Sequence, residues 1–101
     1  MAEVSWTPQA ADDLEAICLL IARDAPQVAA AFADRVFRAT RQLRRFERSG
    51  RVVPEFRIEN IRELIVGCYR VIYRIRDKKA EILTIHHAAR LLHSDKIGDD
   101  V

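Results

Sequence analysis

Only two cysteines occur in 101 residues, Cys18 and Cys68, and each stands alone, without a partner at metal-ligand spacing. That pattern argues against a disulfide framework and fits reduced, partly buried packing thiols. No apolar run approaches the roughly 18 residues of a membrane span, and the longest, Ala16 to Ala22, is helix-like and too short. The start Met1-Ala2-Glu3-Val4-Ser5-Trp6 lacks the basic-then-apolar order of a secretory signal, so the expected location is the cytoplasm. Internal repeats and low-complexity tracts are also missing. Lysine is scarce, with three Lys against fourteen Arg. With 50% hydrophobic and 32% charged residues, the chain has the composition of one small globular domain. The expected division is a single domain over residues 1–95 and a flexible tail over 96–101.

The net charge of +2 hides a polarised chain. Residues 1–34 hold one Arg and six acids, for −5, and residues 35–76 hold twelve Arg and four acids, for +8. Residues 77–101 hold four basic and five acidic groups, for −1. The planar fork of arginine captures carboxylates and phosphates in bidentate fashion, which points to an acidic or polyanionic partner. A solvated helix face rich in arginine is the plainer reading of the same composition.

Punctuation and periodicity give the order β, α, α, β, β, β. Ala2 to Trp6 reads as a short strand, and Thr7-Pro8 as an N-cap followed by Pro at the first helical position. The first helix is expected over Pro8 to Arg23, with Ala10, Leu14, Ile17 and Ile21 as its apolar stripe and Asp12, Asp13 and Glu15 in its first turns, where the macrodipole favours them. Pro26 opens a second helix expected to reach Arg48. Its seam is Ala29, Phe32, Val36, Ala39, Leu43 and Phe46, and Arg38, Arg41, Arg45 and Arg48 form a stripe on another face. Gly50 suits the C′ position of that helix. Arg51 to Phe56 reads as a connector, since Pro54 argues against a central strand.

The remainder is a meander. Strands are expected over Glu59 to Val66, Cys68 to Arg76 and Ala80 to His86, with turns at Val66-Gly67 and Asp77-Lys78-Lys79. On the middle strand Tyr69, Val71, Tyr73 and Ile75 point one way, and Arg70, Ile72, Arg74 and Arg76 the other. A short helical turn is expected at Arg90 to Ser94. The fold class is therefore α+β in two layers: an N-terminal αα-hairpin packed on a small, mostly antiparallel sheet. The uncovered sheet face is expected to carry its arginines in a shallow groove.

Several of these residues have a structural and a functional reading. Arg70 and Arg74 can pair across strands with Glu63 or Glu81, or meet a partner. Adjacent His86 and His87 face opposite ways on a strand and make no metal site, and His87 suits a ring hydrogen bond at the strand exit. No cofactor or metal is expected. Trp6, Tyr69 and Tyr73 read as core or sheet-face residues.

The sequence resembles toxins of the RelE/ParE superfamily from bacterial type II toxin–antitoxin systems. The residues that carry the resemblance are Val4-Ser5-Trp6-Thr7-Pro8 with Ala10, Asp13 and Leu14, then Gly50 to Phe56, Ile61-Arg62-Glu63-Leu64, and Gly67. Tyr69-Arg70-Val71-Ile72-Tyr73-Arg74-Ile75 and His87-Ala88-Ala89-Arg90 complete it, over roughly residues 2–92. The resemblance implies a growth inhibitor neutralised by a small antitoxin in a hetero-oligomer. It implies one of two targets, DNA gyrase for ParE-like members or ribosome-bound mRNA for RelE-like endonucleases. In the nuclease case Arg70, Arg90, Arg62 and His93 would be the catalytic candidates. Yet Ile61 and Glu63 stand where such nucleases carry lysines, and no Tyr follows Arg90, which favours the ParE-like, non-enzymatic reading. Target-binding candidates are then Arg70, Arg74, His87 and Arg90. Antitoxin-binding candidates are Leu19, Leu20, Arg38, Arg41, Arg45 and Arg48. An inactive toxin-fold protein that only binds antitoxin is the third alternative.

Overall fold

The structure, a computed structural model, describes residues 1–90. The helical turn expected at Arg90 to Ser94, the candidate His93 and the expected tail over 96–101 fall wholly or mostly outside the described residues. Strand β1 (Glu3–Trp6) leads into helix α1 (Pro8–Ala22) and helix α2 (Pro26–Arg41), and a 3-10 turn follows at Gln42–Arg44. Then come β2 (Arg51–Val52), β3 (Ile61–Val66), β4 (Tyr69–Arg76) and β5 (Lys79–His87). The five strands form one sheet in the order β1-β5-β4-β3-β2. β1 runs parallel to β5, and every other pairing is antiparallel. This is the expected α+β domain, with the helical hairpin on one sheet face.

Thr7 starts α1 as its spacing predicts. Its hydroxyl accepts from the Ala10 N–H and donates to the Leu83 carbonyl, so one side chain caps the helix and fastens it to β5. Asp13 does not sit in the first turn to serve the macrodipole. Its Oδ2 accepts from the Thr84 hydroxyl and from the Ile85 N–H at 3.1 Å, beside the bulge at Leu83 that shifts the β4–β5 register. Ala10 and Leu14 are buried on the hairpin's inner face with Phe32 and Val36, against Val71, Tyr73, Ile75 and Ile85.

Helix α2 is shorter than its apolar period suggests. It ends at Arg41, and the Ala2 N–H takes the Arg44 carbonyl at 2.9 Å, tying the 3-10 turn to the chain's start. Leu43 still reaches the core, but Phe46 leaves the seam and is 61% exposed. Gly50 is therefore no helix C′ residue. Its N–H donates to the Tyr73 hydroxyl at 2.9 Å, and a Cβ there would lie 2.6 Å from both that oxygen and the Glu63 carbonyl. Close approach, rather than a left-handed backbone, requires glycine at this position.

Two-residue loops close both hairpins. Gly67 takes φ of 59° between paired Val66 and Tyr69, while Asp77 and Lys78 take φ of 51° and 61° between Arg76 and Lys79. Two successive left-handed residues make the second loop a type I′ turn, whose twist matches that of the flanking strands. Arg51-Val52, expected as connector, is instead a minimal edge strand on β3. Pro54 lies just beyond it, where no ladder bond is needed.

The second sheet face is not open. The segment between β2 and β3 folds over it, and Val53 and Phe56 pack on Ile61, Ile72 and Leu83 as a second, smaller core. The expected arginine-lined groove is thus roofed at its centre. The sequence pattern could not show this, because a connector without periodicity has no visible face.

Candidate functional site

The sequence directs attention to the arginines of β4, and the register decides what they meet. β3 and β4 pair Glu63 with Ile72 and Ile65 with Arg70, so Glu63 and Arg70 share the roofed face. Arg70 Nε donates to Glu63 Oε1 at 2.5 Å. Its two terminal nitrogens donate to the carboxylate of Glu55 at 2.6 and 2.7 Å, a bidentate fork. The other oxygen of Glu63 receives Arg51 Nε at 2.5 Å. Arg51, Glu63, Arg70 and Glu55 form an alternating chain of four charges with no net charge.

Burial sets its energetics. The Glu63 side chain is 0% exposed and that of Arg70 6%, whereas Arg51 and Glu55 lie at 63% and 23% and face water. The guanidinium of Arg70 is held well above its ordinary pKa, first by the bond to Glu55 and then by Glu63, against the opposing effect of its own desolvation. Both carboxylates occupy the positions on Arg70 that a phosphate would need. A phosphate reaching this guanidinium must displace Glu55 and approach a second buried anion.

Arg74 pairs with Glu81 of β5 at 2.6 Å, the cross-strand pair that the alternation made available. Arg62 spends its donors on carbonyls, with Nε to Glu59 at 2.9 Å and Nη1 to Gly50 at 2.9 Å and Arg48 at 3.2 Å. It binds together the segments flanking β2. His87 stands edge-on to Tyr69 with ring centroids 5.3 Å apart, and its Nδ1 accepts from the Ala89 N–H, the strand-exit role expected of it. Arg90 follows in an exposed turn whose backbone N–H returns to the His87 carbonyl. That turn rests beside the β3–β4 loop, where the Ala88 N–H donates to Cys68. Among the described residues no group of three His, Cys, Asp or Glu could hold a metal ion. Cys68 is exposed at this loop and is not the packing residue expected, while Cys18 is half-buried with its thiol pushed up by burial.

The antitoxin-binding candidates do not form one face. Cys18 Sγ lies 3.9 Å from the Ala29 carbonyl, so the exposed Leu19 and Leu20 sit at the loop end of the hairpin. Arg38 is nine residues beyond Ala29, roughly 13 Å further along α2 at 1.5 Å per residue. Arg38 pairs with Asp34 at 2.8 Å, and Arg48 leaves the stripe to pair with Glu59 at 3.1 Å. Arg41 and Arg45 remain exposed at the far end, joined by Arg44, which the helical period had hidden because the chain there is no longer α-helical.

The αα-hairpin on a mixed sheet centred on β4 fits the fold expected of a RelE/ParE superfamily toxin. Residues 4–92 match the family described as "ParE toxin of type II toxin-antitoxin system, parDE", and the chain belongs to that family. Two solved structures are similar. The chromosomal ParDE toxin–antitoxin system from P. aeruginosa superposes with TM-score 0.73 at 23% identity, covering 86% of this chain and 96% of that one. The toxin–antitoxin complex RelBE2 from Mycobacterium tuberculosis gives TM-score 0.53 at 26% identity, covering 85% and 96%. A comparison with curated protein sequences finds no match. No helix among the described residues is long and apolar enough to cross a membrane.

Proposed function

We propose that this chain is a ParE-type toxin that arrests growth by inhibiting DNA gyrase and is neutralised by an antitoxin encoded beside it. Family membership supports the toxin role, and the antitoxin partnership follows the similar ParDE and RelBE2 complexes. The observation that favours gyrase over mRNA is the closed charge chain at Arg70. Cleavage of RNA by its 2′-hydroxyl needs a cation at the scissile phosphate and a proton donor to the leaving oxygen. Here the central arginine is shared between Glu55 and Glu63, and the lysines expected of a nuclease on β3 are Ile61 and Glu63. Arg62, the remaining cation on that strand, is committed to carbonyls. Among the described residues, His87 and Arg90 are exposed at the strand exit and available to a protein target.

A supercoiling assay with purified gyrase tests the reading, and the expected result is inhibition by the toxin that added antitoxin reverses. Unimpaired supercoiling, together with codon-positioned cuts in translation reactions, would transfer the activity to ribosome-bound mRNA. Expression without antitoxin that leaves growth unaffected would mark a toxin fold that has lost its activity.

A further inference from the structure

The end of α2 and the start of β1 meet in a surface that gathers three of the expected antitoxin-binding arginines, Arg38, Arg41 and Arg45, with Arg44 and an apolar cluster that the sequence did not single out. Trp6 and Phe37 meet there with ring planes tilted by 51° and centroids 5.5 Å apart. Phe37 remains 47% exposed, Phe46 61% and Met1 85%. Two hollows of ≈ 550 and ≈ 560 Å³ adjoin across Met1, Arg41 and Arg44, which line both. Arg38, Arg41, Arg44 and Arg45 stand around this apolar floor.

Its charge is one-sided. Arg41, Arg44 and Arg45 meet no carboxylate among the described residues, while Arg38 is paired with Asp34. Among the described residues Glu3 alone brings a carboxylate to either hollow, and it turns towards Lys79. Apolar side chains this exposed beside unpaired guanidiniums describe half of an interface.

We propose that this face receives an acidic amphipathic helix of the antitoxin. The inference rests on the reading of the chain as a toxin with an antitoxin partner, and adds where and by what chemistry the two meet. The complement is a segment with apolar residues on one face, to cover Phe37, Phe46 and Met1, flanked by carboxylates one turn apart. Arg38 to Arg45 spans eight residues, so two to three helical turns of partner, about 10–15 Å, match its length. A nucleic-acid strand would satisfy the guanidiniums but leave most of the apolar floor wet, so the floor favours protein.

The test titrates purified toxin with the purified antitoxin from the adjacent gene by calorimetry, at low and high salt. The triple variant R41E/R44E/R45E should bind about 100-fold more weakly, with most of the salt dependence gone, and F46A about 10-fold more weakly. The milder R41Q/R44Q/R45Q should fall between wild type and the charge reversal, and circular dichroism checks that each variant is folded. Unchanged affinity in a folded R41Q/R44Q/R45Q or F46A variant overturns the proposal. So does antitoxin affinity unchanged by the charge substitutions alongside a single-stranded RNA oligonucleotide that binds wild type and not the triple variant, which would assign the face to nucleic acid. Failure of wild-type toxin to bind the antitoxin at all would instead overturn the toxin–antitoxin pairing on which the proposal stands.

Discussion

Two groups of arginines in this molecule share a residue type and almost nothing else. Arg70 is buried beneath the segment between β2 and β3 and held by two carboxylates, whereas Arg41, Arg44 and Arg45 stand in solvent without any among the described residues. A guanidinium that is desolvated needs its charge returned by the fold, and Glu55 and Glu63 return it at the expense of any anion site. A guanidinium in water needs nothing from the fold and stays available. In this toxin the arginine most prominent in the sequence is therefore the least accessible, while Arg41 and Arg45 of the helical stripe, with Arg44 beside them, are left in solvent.

The largest effect should come from breaking the buried side. Arg70→Met leaves Glu63 fully buried with Arg51 alone against it, and urea unfolding should show a loss of about 3–5 kcal/mol. Replacing Glu63 by Leu in the same protein should recover a good part of that loss, because the two partners act as a unit. A single Arg70→Met loss below about 1 kcal/mol would remove the contrast between the two groups.

Tyr73 sharpens the buried side further. Its hydroxyl accepts from Gly50 and donates to the Glu47 carbonyl at 2.8 Å, so Tyr73→Phe should cost about 1–3 kcal/mol in thermal unfolding. Burial raises the phenol above its ordinary value near 10. The folded state therefore binds this proton more tightly than the unfolded chain. The stabilising contribution is complete below the unfolded value and is lost as pH rises through the higher folded one. Alkaline titration of stability should show that loss in the wild type and a reduced one in Tyr73→Phe.

Arg74 lies between the extremes, its pair with Glu81 being 13% and 36% exposed. Glu81→Gln should cost less than about 1 kcal/mol after allowance for solvent screening, and salt should diminish the difference. Arg41→Gln, Arg44→Gln and Arg45→Gln should each move stability by no more than about 0.5 kcal/mol, as surface substitutions do, while weakening antitoxin binding. A larger stability change at these positions would make them part of the fold rather than of an interface.

Much of this arrangement was legible in the sequence. Thr7 and Pro8 announced α1, the alternation from Tyr69 to Ile75 showed which side chains of β4 face the helices, and Glu63 and Glu81 were visible as pairing options for Arg70 and Arg74. The end of α2 was not legible, because Leu43 and Phe46 continue the apolar period while the helix is cut short where Arg44 bonds to Ala2, more than forty positions away. Glu55 was hidden for a similar reason: it lies on an aperiodic connector, and only the fold brings its carboxylate to Arg70. Local rules read what local physics determines; both misses are contacts between distant segments.

The parallel pairing of β1 with β5 also sets an order of events. Thr7 bonds to Leu83 across 76 positions, and Val4 pairs with Ala80, so the first strand waits for the last. The β4–β5 hairpin, closed by two residues, can form early, while loop-closure entropy delays the N-terminal strand. Trp6 comes to rest on Phe37 only when that strand docks. A chain still lacking its final strand therefore lacks the docked β1 as well, and with it the contact of Trp6 on Phe37 at the edge of the arginine-rimmed face.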